Sequence, residues 1–455
     1  MSDLLYKPKN AYDILSEEEI KKAYDYCEGY KSFLDNGKIE RLCIENSVKI
    51  AEKAGFVPFI EGTKYKSGDK IYYVQKKRAA IFTVIGSETP ESGFNITAAH
   101  VDCPRIDLKP NPLYEDNGLA MFKTHYYGGL RKYQWVAMPL ILCGVVCKKD
   151  GTVINVNIGS DESDPLFCIT DLLPHLGKDQ AQKPLGTAFT GENLNVLFGS
   201  RPDKSTEKDK VKTTVMKLLN EKYGMNEEDF LTAELSIVPE HKARDIGMDR
   251  SMIASFGQDD RVCAYPGLTA LMEAKNLKKT SVTVFADREE VGSMGLTGMR
   301  SAYLKNFLEA LCGNSYNIRK AFANSAAISA DVSAAFDPNF PEVYEVKNSA
   351  FINQGIAISK YTGSGGKSGA SEAGPEFMAR LCNIFDNAGA LYQMSELGKV
   401  DQGGGGTVSQ YIADLNIEVV DIGVAILCMH APYEVAGKTD IYMLHKACMA
   451  FYENY

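Results

Sequence analysis

No Cys-x-x-Cys pair occurs among the eleven cysteines of this 455-residue chain, which argues against a zinc site built on thiolates. The cysteines are odd in number and sit in apolar stretches such as 141–147 and 425–429, as small buried hydrophobes do in a reducing compartment. Positive charge is also short. Fifty Lys and Arg against fifty-nine Asp and Glu leave a net charge of -9, which excludes nucleic acid or an anionic membrane as the main partner. An anionic substrate would need a local cationic pocket. No stretch approaches the ~20 apolar residues that span a bilayer. The opening Met1-Ser2-Asp3 runs into a charged segment with no apolar core of signal-peptide length, so a soluble, cytoplasmic protein is expected. Internal repeats and long linkers are missing too. What is present is an ordinary globular composition, 45% hydrophobic, at a length that suits about two or three domains.

Helical spacing runs from Ser16 to Leu34, where Ser16 and Glu19 fit a capping box, and again from Lys38 to Ala54. Strand patterns follow at 70–74, 78–85 and 95–99. The interval from His100 to Asp259 exceeds the dozen or so residues of a βαβ crossover, so it holds an insertion, placed at 104–245. This insertion reads as strand-rich. Residues 141–147 and 152–158 are β-rich and joined by an Asp150-Gly151 turn, 201–223 reads as an exposed helix or loop excursion, and 231–238 as a returning strand. Beyond it, 259–277 has helical spacing with an expected kink at Pro266, and a closing helix covers 442–455. The alternation of strands and helices predicts an α/β core, a helix-covered mixed sheet over 1–103 and 246–455, interrupted by the 104–245 insert.

Four apolar runs end in a side chain able to bind metal. Residues 281–286 lead into Asp287-Arg288-Glu289-Glu290, 95–99 into His100-Val101-Asp102, 326–330 into Asp331, and 421–429 into His430. The ends of buried strands are where α/β sheets place their chemistry. Singly, each histidine suits a satisfied core position, Asp259 a helix N-cap, and an adjacent Glu pair a solvated surface. Together, His100, Asp259, Glu290, Asp331 and His430 offer imidazole and carboxylate ligands for two divalent, zinc-like ions, with Asp259 able to bridge them. Residues two apart in extended chain face the same way, so Asp102 can fix the ring of His100. Adjacent Glu289 and Glu290 would point apart if extended. One then binds metal, assigned to Glu290, and the other, Glu289, serves as general base.

These residues, in this order, resemble the aspartyl aminopeptidase and vacuolar aminopeptidase I family of zinc metallopeptidases over nearly the whole chain. The matching stretches are 98–104, Asp259-Asp260, 287–293, 329–331 with 337–339, 403–410, and 429–434. The resemblance implies a zinc-peptidase-like catalytic domain in which His100 and Asp331 hold one ion, Glu290 and His430 the other, Asp259 bridges, and Glu289 is the base. Zinc is the implied metal, with cobalt or manganese as substitutes. The segment Asp171 to Leu176 is similar to the family segment whose histidine reaches a neighbouring subunit's active site. That implies a substrate-side role for His175, a dimerisation role for the insert, and a homo-oligomer, a tetrahedral dodecamer of dimers. Two positions depart from the family: Asp260 stands where asparagine is common, and Ala334 where histidine is common.

The loop 360–369 is more similar to the aminopeptidase I branch than to the strictly acid-selective one. Lys360 or Lys367 could pair with an acidic substrate side chain, or simply belong to a solvated turn. Gly403 to Gly406 is either a flexible loop or, through backbone N–H groups such as that of Gly406, a support for a substrate carbonyl. A P-loop reading of Gly366-Lys367-Ser368 fails on spacing, because its first glycine would fall on Tyr361. The expected function is a metalloaminopeptidase releasing single neutral, aliphatic or acidic residues from peptides with a free N-terminus. The rivals are a deacylase-type amide hydrolase on the same metals and a catalytically silent oligomeric shell.

Overall fold

The strand Phe94–His100 is buried at every position because both faces of its sheet are covered. Residues of opposite parity enter different cores: Phe82, Phe285, Ile328 and Val420 pack on one side, and Ile81, Val284, Ala327 and Val419 on the other. A pair such as Phe82 and Phe285, in edge contact at 5.4 Å between ring centres, stabilises the fold by about 2 kcal/mol or more per ring through burial. This is a computed structural model, and it describes residues 4–455.

The chain divides into two compact units. One holds the chain up to Asp102, Ala243–Met429 and Tyr433–Tyr455, and the other Cys103–Lys242 with His430–Pro432. The first unit contains a nine-stranded mixed sheet and a five-stranded sheet. In the larger sheet, Phe94–His100 lies parallel between Thr280–Ala286 and Ala326–Ser329, and Glu418–Gly423 runs parallel beside the last of these. The helices Glu17–Asn36, Gln258–Glu273, Pro375–Ala388 and Lys438–Asn454 cover one face, and Tyr303–Cys312, Ile318–Ala323 and Ser409–Ala413 the other. Ser16 and Glu19 form the expected reciprocal capping box.

The second unit is a seven-stranded sheet whose paired strands all run antiparallel. Its Leu140–Cys147 and Val153–Ile158 strands form the hairpin expected around Asp150-Gly151. The charged stretch after residue 201 becomes the helix Lys210–Tyr223, which buries Val211, Val215 and Leu219 at helical spacing. Among the described residues, no helix is long and apolar enough to cross a membrane.

Two expectations need correction. Residues 421–429 do not form one strand. Glu418–Gly423 belongs to the large sheet and Ala425–Leu427 to the five-stranded one, where it pairs with Ser333–Ala334 and Glu434–Gly437. The chain crosses over at Gly423, where a Cβ would stand 1.8 Å from the Asp331 carbonyl oxygen, so only glycine permits the approach. The helix expected over 259–277 spans Gln258–Glu273, and its departure from helical geometry falls at Asp259 and Asp260 rather than at Pro266. The Glu434 carboxylate captures the backbone N–H groups of Gln258 and Asp259, at 2.7 and 3.1 Å, and sets the chain direction there.

Candidate metal centre

Parallel neighbours in register bring distant acids together. Ala286 lies beside His100 and Ser329 beside Ala98, so the residues just beyond each strand end emerge at the same edge of the sheet. His100 Nε2 lies 3.1 Å from Asp259 Oδ1, 3.9 Å from Asp331 Oδ1 and 4.0 Å from Glu289 Oε2. Two sets of ligand atoms converge within 4.8 Å, His100 with Asp259 and Glu290, and His100 with Asp260 and Asp331. Neither includes His430. That residue follows the crossover strand, adopts a left-handed conformation with φ of 64°, and places its Nδ1 3.0 Å from the Gly129 carbonyl oxygen.

The other face of His100 is fixed. Its Nδ1 is 3.0 Å from the Asp102 carbonyl oxygen and 3.4 Å from the Asp102 carboxylate, so the expected contact exists but its shorter leg is backbone. The carboxylate of Asp102 does further work that the sequence did not disclose. It accepts the backbone N–H groups of Glu289 at 3.1 Å and Glu290 at 3.3 Å. The two glutamates therefore do not lie on extended chain as expected. Glu289–Val291 is a 3₁₀ turn entered from a left-handed Arg288, held over Asp102. Arg261, fully buried, donates from its guanidinium to the Val101 carbonyl at 3.0 Å and pins the same segment.

Asp260 is the residue sequence reasoning underused. It is fully buried, its Oδ2 accepts the His100 backbone N–H at 3.3 Å, and its Oδ1 finds no hydrogen-bond donor among the described residues. The peptide bond joining it to Asp259 is cis. The available signal was the second acid itself, directly after Asp259.

The electrostatics follow from crowding. Burial opposes charge on His100, but the Asp102 and Asp259 carboxylates outweigh it and push the imidazole well above its ordinary range. Burial raises Asp260, and burial followed by the charge of Asp260 raises Asp331, each well above the usual carboxylate range. Buried carboxylates facing one another around an imidazole, with an acceptor atom lacking a donor, fit a hard or borderline divalent cation.

The remaining candidates lie elsewhere. Lys360 and Lys367 both reach Glu372, at 3.7 and 3.1 Å, and Lys367 also sits 3.8 Å over the Tyr361 ring. No helix starts after Gly366-Lys367-Ser368; the next begins at Pro375, so the P-loop reading falls. A cavity of about 320 Å³ is lined by Tyr361, Lys367, Glu396, Lys399, Gly403 and Gly404. Gly406 lies in the loop that follows. His175 sits exposed in the second unit, in a turn with Leu172, Leu173 and Leu176 exposed by 53, 50 and 70%.

Comparison with known proteins gives one answer. Residues 33–452 match the family described as aminopeptidase I zinc metalloprotease (M18). A probable M18 family aminopeptidase 1 from Clostridium acetobutylicum is 48% identical over 463 residues, covering all of both chains. The crystal structure of an M18 aminopeptidase from Thermotoga maritima superposes with a TM-score of 0.95 at 38% identity, covering 99% of this chain and all of that one. An S. cerevisiae mApe1 dodecamer shares the fold at 19% identity and a TM-score of 0.76, over 96% of this chain and 97% of that one. The chain belongs to the aminopeptidase I zinc metalloprotease (M18) family and is a metalloaminopeptidase.

Proposed function

We propose that the protein removes single residues from the free N-terminus of peptides, using two divalent ions held by His100, Asp259, Glu290, Asp331 and His430. The observation that carries the reading is the convergence of ligand atoms from Asp259, Glu290 and Asp331 on the one imidazole of His100. In this reading His100 and Asp331 serve one ion, Glu290 and His430 the other, and Asp259 both. The proposed histidines share a feature that supports the role. Each has Nδ1 against a backbone carbonyl, the arrangement that orients an imidazole to bind metal through Nε2. When bound, zinc, or cobalt or manganese in its place, supplies Lewis acidity and lowers the pKa of water.

The protein's own residues do the rest. Glu289, 17% exposed beside His100, takes a proton from the attacking water and returns it to the leaving amine. Asp102 orients the His100 ring and carries the turn bearing both glutamates, so base and ligand keep a fixed separation. The Gly406 region offers backbone N–H groups to the substrate carbonyl. Because Glu372 engages both Lys360 and Lys367, neutral and aliphatic N-terminal residues are favoured over acidic ones.

The insert acts as the dimerisation domain of a homododecamer, with His175 directed to a neighbouring site. Its exposed leucines support a contact surface. Among the described residues the eleven cysteines form no disulfide, which accords with a cytoplasmic setting. The test is a panel of aliphatic and acidic aminoacyl arylamides, free and N-acetylated, run on EDTA-treated and metal-restored protein. Metal-dependent cleavage of free leucyl arylamide with none of the acetylated form is expected. Cleavage of the acetylated form would favour a deacylase, and no cleavage at all the silent shell.

A further inference from the structure

A second buried carboxylate lies below the metal centre with no part in the mechanism above. Asp421, 4% exposed, belongs to the Glu418–Gly423 strand and pairs in register with Ser329, two residues before Asp331. The Thr407 hydroxyl donates to Asp421 Oδ1 at 2.6 Å, lies 2.8 Å from the Ser409 hydroxyl and 3.5 Å from that of Ser329. Thr407 ends the glycine run 403–406, and Ser409 opens the helix Ser409–Ala413. Burial disfavours charge on Asp421, and the hydroxyls of Thr407, Ser329 and Ser409 act against it in favour of the carboxylate.

The glycine run itself has little to hold it. The Gly403 N–H donates to the Lys399 carbonyl at 2.8 Å and the Gly405 N–H to the Thr362 carbonyl at 3.1 Å, both partners being loop residues. Gly404 adopts φ of 97° and passes so close to Gly363 that a Cβ would lie 2.5 Å from its carbonyl oxygen. Side chains that could pack are missing from the run, so it is tied down only at its end, by Thr407 on Asp421 and by the buried Val408.

We propose that Asp421 is a positioning residue for peptide cleavage, fixing through Thr407 the glycine run that presents N–H groups to the substrate, in register with the strand leading to Asp331. This rests on the function proposed above, in which that run contacts substrate. Thr407→Val removes the donor at nearly constant volume, Thr407→Ser restores it, and Asp421→Asn weakens the acceptor. The readouts are metal content per subunit, melting temperature, and kcat and KM for leucyl arylamide.

Full metal content in Thr407→Val with KM raised about tenfold, and recovery to within about twofold in Thr407→Ser, is the expected result. A purely structural role would lower the melting temperature and the active fraction but leave KM alone. Unchanged KM in Thr407→Val, or a Thr407→Ser variant as impaired as the valine one, would overturn the assignment, even if Asp421→Asn fails to fold. If wild-type protein itself shows no metal-dependent cleavage, the functional reading fails first, a distinguishable outcome.

Discussion

Three aspartates in the same unit show how differently a fold can treat a carboxylate. Asp440 is fully buried in the closing helix, yet its two oxygens accept the backbone N–H groups of Asn353 and Gly355 at 2.7 and 2.8 Å. Burial still lifts it to about 7, with those donors pulling the other way. Asp260 and Asp331 face His100 and each other, and Asp331 is raised first by burial and then by its neighbour's charge. Asp440 is satisfied by hydrogen bonds, while Asp260 and Asp331 are set against one another around a single imidazole. Burial alone therefore does not mark a functional acid; mutual repulsion with too few donors does.

The comparison can be broken by substitution. The largest effect is expected from Asp259→Ala, which should lose bound metal by elemental analysis and fall to the activity of stripped protein; retained metal would refute the bridge. Glu289→Gln should keep its metal and lose ~10²- to 10⁴-fold in kcat, the worth of a general base. Substantial turnover in that variant would remove Glu289 from the mechanism. Asp440→Ala strands two buried N–H donors and should cost about 2 to 4 kcal/mol in denaturant unfolding, with kcat per folded subunit intact. In metal-stripped protein Asp331→Asn should do the opposite, relieving repulsion and stabilising by about 1 kcal/mol; destabilisation would show that the acids are not crowded against one another.

A further effect concerns pH. Burial raises Asp421 to about 6. Its folded form then keeps a proton that the unfolded chain has released, so the stability it lends is complete below the ordinary carboxylate value and is lost as pH rises through about 6. Between pH 4 and 7 the loss should be on the order of 2 kcal/mol in wild type and absent in Asp421→Asn. Parallel stability profiles for the two proteins would contradict it.

How much of this could be read from sequence depended on range. The apolar runs before His100 and Asp331 announced buried strands, and register did the rest, because neighbouring parallel strands end together. The capping box at Ser16 and the hairpin at Asp150-Gly151 were equally legible, each being set by a few adjacent residues. What escaped was decided by partners far along the chain. Glu434 sets the path through Asp259, 175 residues away, and Asp102 gathers Glu289 and Glu290 into a turn that their own local sequence would leave extended. The break at Gly423 depended on an approach to Asp331 that no periodicity records.

The alignment of Ala326–Ser329 with Phe94–His100 carries a consequence for biogenesis. Side chains alternate along a strand, so a slip of one position would carry Asp331 to the opposite face and separate it from His100. In the reading proposed above, metal uptake would then require these strands to have docked in register, and misassembled chains should be recognisable during refolding by their failure to take up the ion.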